Sequence, residues 1–387
     1  MIYKKRVLEE KVKKYLKNFS VVGITGPRQS GKSTLLKHLF GKEYTYVTFD
    51  DYQIMDFFYE DPKRFMNTYK NKVIFDEVQK VPELFSYVKI AVDEDRKNYG
   101  KFILTGSSQF NLLKHITESL AGRIGLLSLL PFEYSEVPDK QKESSIFKGG
   151  YPELIERDYQ ESSAWYSAYL ETYLDKDIRQ MHNLGHLRDF RRFLSILAAN
   201  TANILNYSNL ANDLGVAVNT VKRWISILEA SYIIFLLQPF YSNLGKRMIK
   251  SPKIYFYDTG LVSYLTGIRS KELFMKGPMK GALYENYIVS EMKKFTNHRK
   301  LEHSLYYYHT TQKVEIDLII DKGVSKDLIE IKNSMTFKTP MIKHISDLKE
   351  EADNAYLVYQ GKDMKIDENL FISNHKTFFE QYAKQNK

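Results

Sequence analysis

Eight consecutive residues, Gly26-Pro27-Arg28-Gln29-Ser30-Gly31-Lys32-Ser33, constrain this chain more than any other stretch. They follow the apolar run Ser20-Val21-Val22-Gly23-Ile24-Thr25 and precede Thr34-Leu35-Leu36-Lys37-His38-Leu39-Phe40, which predicts strand, loop and helix in that order. This is a P-loop in its required context. Gly31, and less directly Gly26, let the backbone curl so that successive N–H groups point inward at phosphate oxygens with no Cβ in the way. The following helix adds its free N–H groups and the positive end of its dipole. Lys32 can reach the β- and γ-phosphates, and Ser33 can place its hydroxyl on Mg²⁺. The expected ligands are therefore ATP and Mg²⁺, held by Gly26, Pro27, Arg28, Gln29, Ser30, Gly31, Lys32, Ser33 and Thr34. Nothing in the stretch excludes GTP.

The elements around the loop read as an α/β domain with a parallel sheet. Val7, Leu8, Val12, Tyr15 and Leu16 stand at helical spacing ahead of the P-loop strand. Tyr44 to Phe49 is β-branched and aromatic and ends at Asp50-Asp51. Those carboxylates either face a ligand at the strand's C-terminal edge or cap the next helix. Lys72-Val73-Ile74-Phe75-Asp76-Glu77 has the apolar run of a central parallel strand and stops at paired acids. Downstream of a P-loop, Asp76 is placed to hold Mg²⁺ through water and Glu77 to take a proton from the attacking water. Lys101 to Ser108 is a further strand ending in small polar residues.

With 387 residues the chain is too long for one core, and two or three domains are expected. Hydrophobic residues make up 43% and charged residues 27%, an ordinary soluble globular balance. Cysteine is absent, which excludes disulfides and Cys-ligated zinc or iron–sulfur sites and fits a reducing cytoplasm. The charged N-terminal residues do not resemble a signal peptide, and no apolar run approaches a membrane span. The formal charge of +10 fits either an acidic partner such as nucleic acid or a general taste for lysine.

The P-loop, Phe75-Asp76-Glu77-Val78-Gln79, Leu104-Thr105-Gly106-Ser107-Ser108 and Leu120-Ala121-Gly122-Arg123 together resemble bacterial and archaeal AAA+-type ATPases in which a C-terminal DUF4143 region follows the P-loop core. Further matching stretches are Pro131-Phe132-Glu133-Tyr134, Gly149-Gly150-Tyr151-Pro152-Glu153 and Tyr173-Leu174-Asp175-Lys176-Asp177-Ile178, so the likeness covers nearly the whole chain. It departs at Lys176, where the family often has arginine; here Arg179 stands three positions later. The resemblance implies a sensor hydroxyl touching the γ-phosphate or lytic water from Thr105, Ser107 or Ser108. Arg123 is a catalytic candidate, as an arginine finger for a neighbouring subunit or a sensor in cis; its alternative is a surface salt bridge. A finger would require a homo-oligomer.

Beyond Tyr159 the chain turns helical. Asn206 to Leu228 has helix-turn-helix spacing, with Leu210, Ala211 and Leu214 on one helix, Gly215 at the turn, and Val221, Trp224, Ile225 and Leu228 on the second. Ile233 to Gln238 and Lys253 to Tyr257 then predict two strands around a loop with Lys246, Arg247 and Lys250, giving a winged helix. Asn219, Thr220, Lys222 and Arg223 would face DNA, or the module serves as a protein contact or a lid.

In the last part, a helix from Ala282 carries Glu285, and strands bear Asp317 and Glu330-Ile331-Lys332. These resemble the core of PD-(D/E)xK nucleases, with Ile316 where that core has proline. The resemblance implies Mg²⁺ on Asp317, Glu330 and Glu285, with Lys332 steadying the nucleophilic water or the developing charge. The alternative is an inactive scaffold for a partner. The expected architecture is an α/β P-loop domain at 1–158, a helical winged-helix domain at 159–272, and a PD-(D/E)xK nuclease-like α/β domain at 273–387. The expected protein is a cytoplasmic ATPase that couples nucleotide state to DNA.

Overall fold

The computed structural model describes residues 3–106, 119–174, 187–240, 251–310 and 314–386. Ser107, Ser108, Lys176, Asp177, Ile178, Arg179, Lys246, Arg247 and Lys250, all singled out above, lie outside the described residues.

Two compact units emerge. The first runs to Phe132 and takes in Ala230–Tyr232 and Asn297–Lys300. Its five strands are β1 (Val21–Thr25), β2 (Thr45–Thr48), β3 (Val73–Asp76), β4 (Phe102–Thr105) and β5 (Ile124–Ser128). They lie in the order β2-β3-β4-β1-β5, and every pairing is parallel. The apolar runs explain the arrangement, because successive residues feed opposite faces. Val21, Phe75 and Leu104 join one core cluster with Phe49, Phe58 and Phe65, while Val22, Ile74 and Ile103 join another with Leu35, Leu36 and Phe40. Helices α1 (Glu9–Leu16), α2 (Lys32–Phe40), α3 (Tyr52–Glu60), α4 (Pro62–Thr68) and α5 (Leu84–Asp93) carry the matching apolar stripes. Because all strands run the same way, the ends of β1 and β3 open on one edge with the end of β4 between them. That edge is where α/β sheets bind ligands.

The second unit comprises Glu133–Glu229, Ile233–Thr296 and Leu301–Lys387. Its described helices are α6 (Lys142–Lys148), α7 (Pro152–Glu156), α8 (Ser162–Tyr169), α9 (Leu187–Ala199), α10 (Tyr207–Leu214), α11 (Val218–Ala230), α12 (Thr259–Leu265), α13 (Lys271–Lys276), α14 (Lys280–Arg299), α15 (Lys343–Leu348) and α16 (His375–Gln385). The strands are β6 (Ile234–Pro239), β7 (Lys253–Phe256), β8 (Ser304–His309), β9 (Glu315–Asp321), β10 (Lys326–Lys332), β11 (Asn354–Tyr359), β12 (Met364–Asp367) and β13 (Leu370–Asn374). They form one mixed sheet in the order β12-β13-β11-β10-β9-β8-β6-β7.

This differs from the three domains expected, and the reason is hydrogen bonding. The hairpin of β6 and β7 is no separate module: β6 pairs in parallel with β8 through Gln238↔Tyr306 and Pro239↔Tyr307, so hairpin and C-terminal strands share one sheet. The first boundary falls at Phe132 rather than after Asp158, because the Gly149-Gly150 turn is bonded into the second unit. Buried Asp258 accepts from Gly150 N at 2.7 Å and from the Tyr166 hydroxyl at 2.6 Å. Gly149 has φ +83°, and a Cβ there would stand 2.4 Å from the Asp258 carboxylate oxygens. Among the described residues no helix is long and apolar enough to cross a membrane.

Candidate functional site

At the open edge of the first sheet the P-loop leaves β1. Gly26 has φ +140°, and a Cβ on it would lie 2.1 Å from the Leu129 carbonyl oxygen. Gly31, at φ 92°, starts α2. Both glycines are therefore required by the backbone path. Lys32 is buried and donates to the carbonyls of Gly26 and Pro27, each at 2.9 Å. Burial lowers its ammonium to about 8, against the opposing charges of Glu77 and Asp76. The Ser30 hydroxyl is buried with no partner. Gln29 and Thr34 are exposed and Arg28 half-buried on the same loop and first helical turn.

The two ends meet through Ser33, whose hydroxyl donates to Asp76 Oδ2 at 3.1 Å. Tyr46 on β2 donates to the same oxygen. Asp76 Oδ1 is buried and unpartnered. A hydroxyl and a carboxylate with an orphaned oxygen are hard donors of the kind Mg²⁺ takes, so these residues fit the expected ion. Glu77 follows at φ 56°, a sparsely populated conformation for a residue with a Cβ, and accepts from the Gln79 side chain. Burial raises its carboxyl above the usual range and Asp76 adds to this, while Lys32 opposes it. Thr105 ends β4 with its hydroxyl buried and unpartnered, which makes it the described member of the three sensor candidates. Asp51 is a helix cap, accepting from Gln53 N at 2.9 Å, and Asp50 pairs with Lys80.

Arg123 stands elsewhere. It precedes β5, whose Ile124 is in register with Val21 at the start of β1, so it lies at the sheet edge opposite the P-loop. Its Nε and Nη2 fork onto Asp93 Oδ1 and Oδ2 at 2.7 and 3.0 Å. The reading as a sensor in cis is thereby corrected: the length of the strand separates Arg123 from its own loop.

Arg6 and Tyr232, like Tyr46, escaped the sequence reading. Arg6 is buried and donates to the Ser30 carbonyl at 2.8 Å and the Leu130 carbonyl at 2.7 Å, tying the P-loop to the end of β5. Tyr232, counted with the first unit, places its hydroxyl 2.6 Å from Thr25 Oγ1 and 3.0 Å from Ser128 Oγ. Neither carries a local signal beyond being a charged or aromatic residue.

In the second unit, Asn206 caps α10 through Asn209 N, and Gly215 at φ 70° turns the chain into α11. Leu210, Ala211, Leu214, Val221, Trp224, Ile225 and Leu228 are buried, and Phe190 and Phe193 of α9 pack on Trp224. Asn219, Lys222 and Arg223 are exposed on α11, with Thr220 half-buried.

The C-terminal candidates do converge, around a residue that the sequence did not suggest. Lys253 on β7 is 3% exposed, and its Nζ lies 3.0 Å from Glu285 Oε1, 2.6 Å from Glu315 Oε1 and 3.9 Å from Asp317 Oδ1. Lys332 Nζ lies 2.5 Å from Glu330 Oε1 and 3.8 Å from Asp317 Oδ2. Tyr255 donates to Glu285 Oε1 at 2.7 Å, and Ile331 N to Asp317 Oδ2 at 2.8 Å. Burial, reinforced by Asp317, pushes Glu285 up to about 7 and Glu330 up to about 8. Burial also works against the charge on Lys253, but Glu285, Asp317 and Glu315 outweigh it and hold the ammonium above its usual range. Among the described residues no three acidic or histidine side chains stand in an arrangement that could hold a metal ion. Lys253 and Lys332 thus stand among the carboxylates on which Mg²⁺ was expected, Glu285, Asp317 and Glu330.

Comparison with known proteins agrees with the first unit. Residues 18–138 match the family described as AAA domain, residues 280–377 a domain of unknown function (DUF4143), and residues 139–272 another (DUF8612). Uncharacterized protein Rv2008c of Mycobacterium tuberculosis is 30% identical over 338 residues, 87% of this chain and 75% of that protein. Uncharacterized protein MJ1544 of Methanocaldococcus jannaschii is 25% identical over 347 residues, 80% of this chain and 73% of its own length. Among solved structures, the Walker-type ATPase PABY2304 of Pyrococcus abyssi aligns with 68% of this chain and 96% of its own, at 16% identity and a TM-score of 0.47. From its P-loop to its last strands, the chain belongs to the AAA-type P-loop ATPases that carry a C-terminal DUF4143 region.

Proposed function

We propose that this protein binds and hydrolyses ATP with Mg²⁺ in its first unit and that nucleotide state governs DNA binding by the helix-turn-helix of its second. The observation that carries the reading is the Ser33–Asp76 pair with its orphaned Oδ1, followed directly by a half-buried Glu77 of raised pKa. Bound Mg²⁺ would neutralise charge on the phosphates, with Ser33 and Asp76 as its holders. Lys32 would exchange two backbone carbonyls for phosphate oxygens. Glu77 is the base, because an acid raised toward neutrality accepts a proton from water with less cost in driving force. Thr105 would orient the water or the γ-phosphate.

Turnover measured with and without duplex DNA tests the reading, with GTP as a parallel substrate. Lys32→Ala should weaken nucleotide binding. Glu77→Gln should keep binding and lower turnover by about a hundredfold or more, since it removes the base and keeps the shape. Wild-type turnover in Glu77→Gln would end the assignment.

For the last part of the chain we read a nuclease-like fold, supported by Asp317 on β9, Glu330 and Lys332 on β10 and Glu285 on α14. A scaffold role there is favoured over cleavage by the lysines packed among the carboxylates.

A further inference from the structure

We propose that Lys253 is the resident cation of the C-terminal acidic cluster, so that this nuclease-like site is closed to divalent metal and serves as a metal-independent scaffold. Glu285, Glu315, Asp317 and Glu330 bring four carboxyl groups together from one helix and two strands, and Lys253 and Lys332 stand among them. Lys253 is not part of the nuclease-like pattern. It arrives from β7, in register with Leu237 of β6, and only the shared sheet brings it there.

One oxygen of each carboxylate is also already engaged. A small divalent ion such as Mg²⁺ asks for about six oxygen donors in close to octahedral order. Glu285 Oε1 already receives Lys253 and Tyr255, and Glu315 Oε1 receives Lys253. Asp317 Oδ2 takes the Ile331 amide, and Glu330 Oε1 takes Lys332. Glu330 Oε2 is a buried oxygen of the cluster without a partner, but an ion placed on it would share that carboxylate with the Lys332 ammonium. At 3% exposure the Lys253 side chain is held inside the cluster rather than in solvent. Removing that ammonium would leave buried carboxylates uncompensated, a state a divalent ion would relieve.

The test uses the full chain, free of nucleotide, with Mn²⁺ alone as the probe, and compares wild type with Asp317→Asn, Glu330→Gln, Lys253→Met and the double variant Lys253→Met with Asp317→Asn. Mn²⁺ bound elsewhere is common to all and cancels. Wild type, Asp317→Asn and Glu330→Gln should take up Mn²⁺ alike, and wild type should nick no plasmid in an Asp317-dependent way. Lys253→Met should gain a site about tenfold or more tighter than any in wild type, and the double variant should lose it. A wild-type Mn²⁺ site that Asp317→Asn or Glu330→Gln removes would overturn the proposal, as would a folded Lys253→Met that gains none. If Lys253→Met fails to fold, the wild-type comparison decides alone.

Discussion

Tyr46 donates its phenolic hydrogen to Asp76 Oδ2, the same carboxylate oxygen that accepts the Ser33 hydroxyl. Two hydroxyls on one oxygen fix the carboxylate's rotation and leave Oδ1 as its unpaired donor. Burial and the neighbouring carboxylate hold the Tyr46 hydroxyl protonated by raising its pKa, so it remains a donor at any working pH. Lys37 packs its ammonium 4.3 Å from the Tyr46 ring centroid, which helps fix the ring. Tyr46→Phe should leave metal-free nucleotide binding unchanged and raise the Mg²⁺ concentration for half-maximal turnover by about tenfold, the worth of one hydrogen bond to a charged acceptor. Magnesium titrations at fixed ATP read this directly; an unchanged midpoint would reduce Tyr46 to packing.

Lys32 gives a pH signature. In the nucleotide-free protein burial brings its pKa down to about 8, and bound phosphates would raise it again. Above that pKa the free protein has lost a proton that the complex holds, so binding must take one up. ATP affinity should therefore fall as pH rises through about 8, and Lys32→Arg should lose this dependence. Calorimetry in two buffers of different ionisation enthalpy counts the protons. Uptake near zero at pH 9 would contradict the assignment.

The fork of Arg123 on Asp93 sets a condition on any role in trans. The pair is part-exposed, so breaking it should cost little stability. If a neighbour's phosphate recruits Arg123, turnover per chain should rise with protein concentration, and Arg123→Ala mixed with Lys32→Ala should recover part of the activity, each chain supplying what the other lacks. Asp93→Ala, which frees the guanidinium, should then raise turnover at low concentration. A rate independent of concentration, with no recovery on mixing, would leave Arg123 a surface ion pair.

The legible part of this fold was its local part. The P-loop and the Asp76-Glu77 strand end declare themselves within a few residues, because curl, helix start and buried strand are each short-range requirements. What was missed depends on distance in sequence. Arg6 reaches carbonyls 24 and 124 positions away, and before folding it is one more basic residue in a charged N-terminal stretch. Tyr46 finds Asp76 across 30 positions only because β2 and β3 pair. Lys253 opens a short strand, where lysine usually points to water; its burial follows from β6 pairing with β8, and no turn residue or periodicity announces that pairing. Glu285, Asp317 and Glu330 were recognised by type and spacing, but spacing along the chain cannot say whether a metal or a lysine stands among them.

The helix-turn-helix supplies the last test. Lys222 and Arg223 are exposed side by side on α11, while Trp224 and Ile225 behind them are buried against the rest of the motif. Replacing the two cations therefore leaves the packed face untouched, so a change in DNA affinity would report contact rather than unfolding. Each phosphate neutralised adds about 0.9 to the slope of log affinity against log salt, so the double change Lys222→Ala with Arg223→Ala should flatten that slope by about two. Fluorescence anisotropy on a labelled duplex across a salt series measures it, with Asn219→Ala as a neutral neighbour that should leave the slope alone. A slope that stays constant while affinity stays constant would remove α11 from the DNA interface and favour a protein partner for this exposed face.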